Sequence, residues 1–534
     1  MAETTVTRPP MLDSTGQTIA TAESTQATQQ TTMAAKQTDI ATAQASIATA
    51  EGTQATKQTE IATSQASIAT AEGTQATQQT TMATKLTGID TSEASQATAQ
   101  GNMVTQMSNT NTKLDDVINK LGAVAQAISS LATDGEIYGF IEHCDITSPE
   151  NRIEYIGKNV AYTRPLRVNL SDGSYDLGDW VDFPIIKENK PWMVKSDGTP
   201  DYRLDENDYT KKMDGSASDV ANTSYAGGAF SWIKKIYKRE RMVGNDRYVE
   251  FCFEKKDGFE AVGFTRPDGQ ELSGRWLPMF YATVVDGVAK SIAAGNCTSG
   301  TSKTTDQQNA AVLAFNANAR FFGGSFAETM IDLMMMFAKN SDLQEAYGYG
   351  NCNGYVNDAS VNYGTKDNQV IGGGQFYGTG SSTGTNTAAN KAFHSMVLNT
   401  YNVWLRDPYE VVKNGEVMVS KNYAYDPTGA TYTDTGVSCP DQSSNNWRYT
   451  KKYVSVQGYG SVPDISVGGA STALGRADGV YTLAAQSGSV AVCLRLGGCG
   501  IGLHGGLSAR DWNSAAGSSW WGIGFALLLD GSVV

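Results

Sequence analysis

Few residues in this chain have the types and spacing that chemistry needs. Three histidines, His143, His394 and His504, lie far apart in sequence. No pair has the spacing of a metal site or of a nucleophile-base pair. The seven cysteines are Cys144, Cys252, Cys297, Cys352, Cys439, Cys493 and Cys499, with no C-x-x-C among them. An odd, scattered set reads as free buried thiols rather than as a disulfide framework. Asp201, Asp205, Glu206 and Asp208 could supply the two carboxylates of glycoside hydrolysis. Their turn-rich surroundings read as solvated surface. Gly380-Ser-Ser-Thr-Gly384 fits G-x-S-x-G but lies in a Gly/Ser/Thr loop, without the strand and helix that hold a nucleophile elbow. No D-x-[DN]-x-[DN]-G calcium loop, H-E-x-x-H or P-loop is present, so no cofactor and no metal is expected. The richest constellation is at the end of the chain: Arg510, Trp512, Trp520 and Trp521 among Gly and Ser.

The elements that would carry these residues are unevenly distributed. Every Phe, Tyr and Trp follows residue 137, and residues 1–134 also lack Cys and His. A Thr/Ala/Gln/Ser segment of this kind buries too little apolar area to order itself alone. It is either disordered or ordered by assembly with copies of itself. Thr-Ala-Glu recurs at Thr21, Thr49 and Thr70, at multiples of seven. Stepping by seven from Ile19 gives Gln26, Met33, Ile40 and Ile47, and the frame holds to Val117, Val124 and Leu131. A second apolar column, Leu114, Leu121 and Ile128, joins near the end. This pattern predicts a coiled-coil stalk over 16–134, and Ile in the main column favours a homotrimer. Pro9 and Pro10 break any helix and set residues 1–15 apart as a tip, an anchor to a larger particle.

From residue 135 to 534 the pattern is short strands, dense turns and a few helices, an α+β head. Helices are expected over Gln307–Phe321, over Ser325–Asn340 with a Ser325/Glu328 capping box, and over Ala392–Trp404. The stripe Met330, Leu333, Met334 and Phe337 reads as core. Strands are expected at Tyr248–Glu254, Val490–Leu496 and Ile523–Leu529. The net charge of −14 and a pI near 4.8 argue against nucleic acid as the main partner. No run of 18 apolar residues predicts membrane insertion. Met1 to Pro10 lacks the apolar core of a secretory signal, so synthesis in a host cytoplasm is expected.

The ending Leu496-Gly497-Gly498, Gly506-Leu507-Ser508-Ala509-Arg510, Trp512-Asn513 and Trp521-Gly522-Ile523-Gly524-Phe525 resembles a known family. It is similar to the variable proteins of diversity-generating retroelements, in particular the receptor-binding tail-fibre proteins of phages. The resemblance covers about 40 residues closely. It implies a C-type-lectin-like head, in the variant shared with formylglycine-generating enzymes. It also implies a virion protein, held to tail or baseplate proteins through the 1–15 tip, that binds a host-cell surface protein or glycan without catalysis, with residues 494–529 as the variable segment. In that family the variable slots derive from Asn codons rewritten at their adenines. The implied slots are Cys499, Ile501, Leu503, His504, Asp511, Ser514, Ser518 and Gly522, each reachable that way from AAC. The implied framework is Gly497, Gly498, Arg510, Trp512, Trp520 and Trp521. Within it, Arg510 reads as a structural ion-pair partner and Trp512 as core. Two other readings stay open, a fibre-borne glycan depolymerase and a purely structural fibre or collar protein.

Overall fold

The computed structural model describes residues 137–169, 175–293, 300–347, 403–439, 445–465, 475–482, 490–497 and 504–532. It also describes short stretches between these and, nearer the N-terminus, residues 100–114 and a few single positions. The chain divides into two compact units, Met1–Gly135 and Glu136–Val534.

In the first unit, residues 100–114 are helical. Most side chains of this helix stand in solvent, with Val104 70% and Met107 53% exposed, whereas Met103, Thr110 and Leu114 are half-buried. The hydroxyls of Thr105, Thr110 and Thr112 donate to carbonyls four residues back, at 2.8–3.0 Å. Threonine competes locally for backbone acceptors in this way. The expected fold class is corrected here. The described residues show no long coiled-coil stalk, and the structure is mostly strand, 39% against 22% helix. The physical reason lies in the heptads themselves. In the described helix the second column runs Gln100, Met107 and Leu114, a stripe too narrow to bury a seam; most of the repeat lies outside the described residues.

The second unit is β-rich with five short helices among its described residues, which also corrects the α+β lectin-like head. Its chain opens on β1 (Tyr138–His143), paired antiparallel to Ile153–Gly157 and to β2 (Asp246–Cys252) in a four-stranded sheet. A seven-stranded sheet runs in the order Ala319–Phe321, Leu527–Asp530, Gly274–Pro278, Gly227–Lys234, Pro191–Lys195, Pro200–Asp205, Asp208–Lys212. Two helices follow in the chain, α1 (Thr305–Phe315) and α2 (Gly324–Ala338). The largest sheet has β3 (Trp404–Lys413), β4 (Val490–Leu496) and β5 (Gly506–Asp511) at its centre.

Helix α1 starts with a capping box. The Gln307 amide donates to Thr304 Oγ1 at 3.3 Å, and the Thr304 amide donates to Gln307 Oε1 at 2.9 Å. The Ser325/Glu328 box expected for α2 does not form. That helix begins one residue earlier after Gly323, with no side-chain cap, and Glu328 is drawn into the protein instead. All 15 residues of α2 are buried, so its methionines are core. No helix spans Ala392–Trp404. Phe393 and His394 adopt φ of 65° and 51°, which breaks any helix, and Trp404 already belongs to β3. The strand expected at Ile523–Leu529 is split. Ile523–Gly524 pairs parallel to β3, whereas Leu527–Asp530 joins the seven-stranded sheet. The C-terminal segment therefore ties the two large sheets together.

Candidate binding surface

The surface at the end of the chain rests on two groups of buried ion pairs, and α2 supplies a carboxylate to each. Glu328 serves the first. The Arg495 Nη1 lies 2.6 Å from Glu328 Oε1, and Arg510 Nη2 pairs with the same oxygen. Arg495 also pairs with Asp407 and with Glu410 at 3.4 Å, and Arg510 reaches Glu410 at 3.1 Å. Asp332, one helical turn on, serves the second group, pairing with Arg247 and Lys238. Arg247 reaches Glu142 at 3.0 Å, where Arg152 and Arg476 converge at 2.9 and 3.1 Å.

Burial raises the pKa of Glu328, but the neighbouring Arg510 and Arg495 outweigh it and hold the carboxyl at about 2. Glu142 is held well below the carboxylate range because three guanidinium groups outweigh its burial. Asp407 is shifted the other way, since burial and the nearby Glu410 outweigh Arg495. Breaking one partner of such a pair is costly, because the other charge is left buried.

Arg510 is thus a structural ion-pair partner. Trp512 is core as well, fully buried, with its Nε1 donating to Glu410 Oε1 at 2.8 Å. Asp407 and Glu410 had no sequence signal of their own, and the signal at Glu328 pointed to a helix cap instead. An unpaired-looking acid inside a Met-rich apolar helix, as at Glu328, is the one hint that could have found this cluster.

The proposed slots are dispersed. Cys499, Ile501 and Leu503, with Gly498 of the framework, lie outside the described residues, as do Cys297 and Cys352 and most of the G-x-S-x-G loop. Gly497 ends β4 with φ of 110°, a conformation that favours glycine. Asp511 and Ser514 are buried, 7% and 8% exposed. Burial pushes the Asp511 carboxyl up to about 7, although the Asn513 amide donates to it at 2.6 Å. Gly522 is buried beneath the Trp520 ring, where a Cβ would overlap the ring atoms. Ser518 and His504 are half-buried. The described cysteines, Cys144, Cys252, Cys439 and Cys493, are buried.

What the segment does expose is aromatic. Trp520 and Trp521 are 41% and 43% exposed and pack edge-on with centroids 5.5 Å apart. Their backbone is pinned: the Trp520 carbonyl accepts from Ser302 at 3.3 Å and from Ile523 at 3.1 Å, and the Gly522 carbonyl accepts from Trp404 at 2.8 Å. A second aromatic group lies along the same sheet. Trp404 stacks on Trp447 at 6.2 Å, and Trp447 stacks on His504 at 4.6 Å with rings 8° apart. Tyr481 flanks Trp447 at 5.2 Å, and the Tyr449 hydroxyl hydrogen-bonds His504 Nδ1. Gly479 lets Trp447 lie flat, since a Cβ there would meet the indole. Burial lowers the His504 pKa, which favours the neutral ring of this stack.

No family model matches the chain, and no curated protein matches its sequence.

The candidate catalytic acids are all engaged locally. Asp201 accepts from Tyr225 at 3.0 Å, Asp205 accepts from the Asn207 amide at 2.8 Å, Glu206 is shared by Lys190 and Arg203, and Asp208 pairs with Lys211 at 3.1 Å. No three metal-ligating side chains converge among the described residues. Among those residues no helix is long and apolar enough to cross a membrane.

Proposed function

We propose that this chain is a phage tail-fibre protein that binds a host-cell surface receptor, protein or glycan, through the end of its C-terminal segment. The observation that carries this reading is the Trp520–Trp521 pair. Every other large apolar side chain described between 504 and 532 is buried, yet these two adjacent indoles are more than two-fifths exposed. Binding surfaces concentrate energy in a few such aromatic anchors, and Trp and Tyr supply contact area at low entropic cost. An anchor works best on a support that does not move, and the ion-paired strands β3, β4 and β5 supply one. The half-buried His504–Trp447 stack offers a flat ring face as a second contact.

The test is adsorption of purified full-length protein to host cells, compared for the native chain and for Trp520→Ala with Trp521→Ala. Loss of adsorption with an unchanged unfolding midpoint supports the reading, and undiminished adsorption overturns it. A genomic observation bears on the family: an Asn-rich near-copy of residues 494–529 beside a reverse transcriptase is expected.

A further inference from the structure

A cleft of about 460 Å³ opens on the seven-stranded sheet, outside the 494–529 segment. Its walls include three tryptophans, Trp192, Trp232 and Trp276, and its rim carries Glu188, Lys190 and Arg203. The size falls in the range of small-ligand sites. Cross-strand register builds the aromatic wall. Trp232 stands opposite Trp276, and Trp192 stands opposite Arg203. The Trp232 and Trp276 rings lie 4.8 Å apart and tilted by 59°. Trp232 lies across two glycines. A Cβ at Gly274 would overlap its ring, and one at Gly531 would come within 2.6 Å of Cη2. The sequence thus keeps two positions bare so that this indole can lie flat.

The rim is biased toward positive charge. Glu188 is already matched by Lys234 at 2.6 Å. Lys190 and Arg203 share a single carboxylate, Glu206, at 3.1 and 2.7 Å. Two cations against one acid leave one positive charge over. Flat indole faces beside a rim with one positive charge in excess match a ligand with an apolar C–H face and a carboxylate on its edge.

We infer that this cleft binds an acidic sugar residue of the hexuronate type, its ring packed on the half-exposed Trp192 and Trp232, with Trp276 buried behind them, and its carboxylate met by Arg203 and Lys190. The site is independent of the C-terminal aromatic pair.

Saturation-transfer NMR of the full chain with methyl β-glucuronide and with methyl β-glucoside tests this. The glucuronide is expected to bind at least tenfold more tightly. Trp192→Ala, at the edge of the cleft, is expected to abolish the signal. Arg203→Gln should bring the two sugars within about twofold of each other, and Trp520→Ala should leave the affinity unchanged. Absence of saturable binding overturns the inference, as does equal affinity for the two sugars. A loss caused by Trp520→Ala would place the sugar at the C-terminal pair instead and overturn it too. Circular dichroism on Trp192→Ala separates lost binding from lost fold; should that variant unfold, the Arg203→Gln discrimination decides.

Discussion

Arg495 and Arg510 stand directly opposite each other across β4 and β5, two guanidinium groups in register inside a sheet. Like charges in that relationship repel. They are tolerated because Glu328 of α2 pairs with both, while Glu410 accepts from Arg510 and Asp407 from Arg495. Glu328→Gln is therefore expected to destabilise the protein by about 3–5 kcal/mol, the usual cost of leaving a buried ion without its partner. Guanidinium unfolding midpoints measure it. Combining Glu328→Gln with Arg510→Met should cost less than the two single changes added together, since the removed charges were partners.

The tryptophans of the C-terminal segment should separate into two classes. Trp512→Phe removes the donor to Glu410 and leaves a buried carboxylate oxygen short of a partner. About 1–3 kcal/mol of stability is expected to go, with adsorption per folded molecule unchanged. Truncation of Trp520 and Trp521 should do the reverse. Adsorption is expected to fall roughly 30-fold, equivalent to about 2 kcal/mol for an aromatic anchor, with the unfolding midpoint within ~0.5 kcal/mol of native. Equal behaviour of the two sets in both assays would remove the distinction between frame and contact.

Sequence patterns recovered some local elements and missed others, along with what joins them. The strand at Val490–Leu496, the buried methionines of α2 and the structural role of Arg510 all follow from period and composition. The heptads did not lead to a stalk in the described residues, because a repeat measures spacing and not whether its second column can be buried. The Ser325/Glu328 capping box failed for a related reason. Glu328 had two possible partners, a backbone amide at the helix start and two arginines about 170 residues away, and only tertiary packing brings the second within reach. The slots rest on a family resemblance, and neither it nor codon reachability carries information on burial. Asp511, Ser514 and Gly522 are inside, and the exposed large side chains are two tryptophans assigned to the frame, Trp520 and Trp521.

Asp478 gives a pH signature. It is buried, accepts from the Ser508 amide at 2.8 Å and from Gln344 at 3.2 Å, and has Asp342 nearby. Burial, with Asp342 second, pushes its pKa from 3.8 up to about 8. A carboxyl raised in the folded state binds its proton more tightly there than in the unfolded chain. Its stabilising effect is then full below pH 3.8 and is lost progressively as the pH rises to about 8. Asp511, raised to about 7, adds in the same direction. Thermal unfolding midpoints should fall between pH 5 and 8. Asp478→Asn, which keeps an acceptor for Ser508, should flatten part of that slope. An unchanged slope would mean that Asp478 ionises inside the fold without penalty.

Gly522 decides between two descriptions of the C-terminal surface. As a variable slot it would accept any residue reachable from Asn at no cost to the frame. In the structure the Trp520 ring lies over it, and any Cβ there would overlap that ring. The obstructing atoms belong to the far end of an exposed side chain, so the ring can swing aside without unfolding the protein. The backbone on either side stays held by Trp404, Ser302 and Ile523. Gly522→Ala is thus expected to change stability by less than ~1 kcal/mol while moving Trp520 out of its edge-on contact with Trp521. Tryptophan emission should shift, and adsorption should fall to the level of Trp520→Ala alone. Gly522→Ser and Gly522→Asn should behave alike, because the collision begins at Cβ and not at the atoms beyond it. Retained adsorption in all three would show that recognition does not depend on the position of the Trp520 ring.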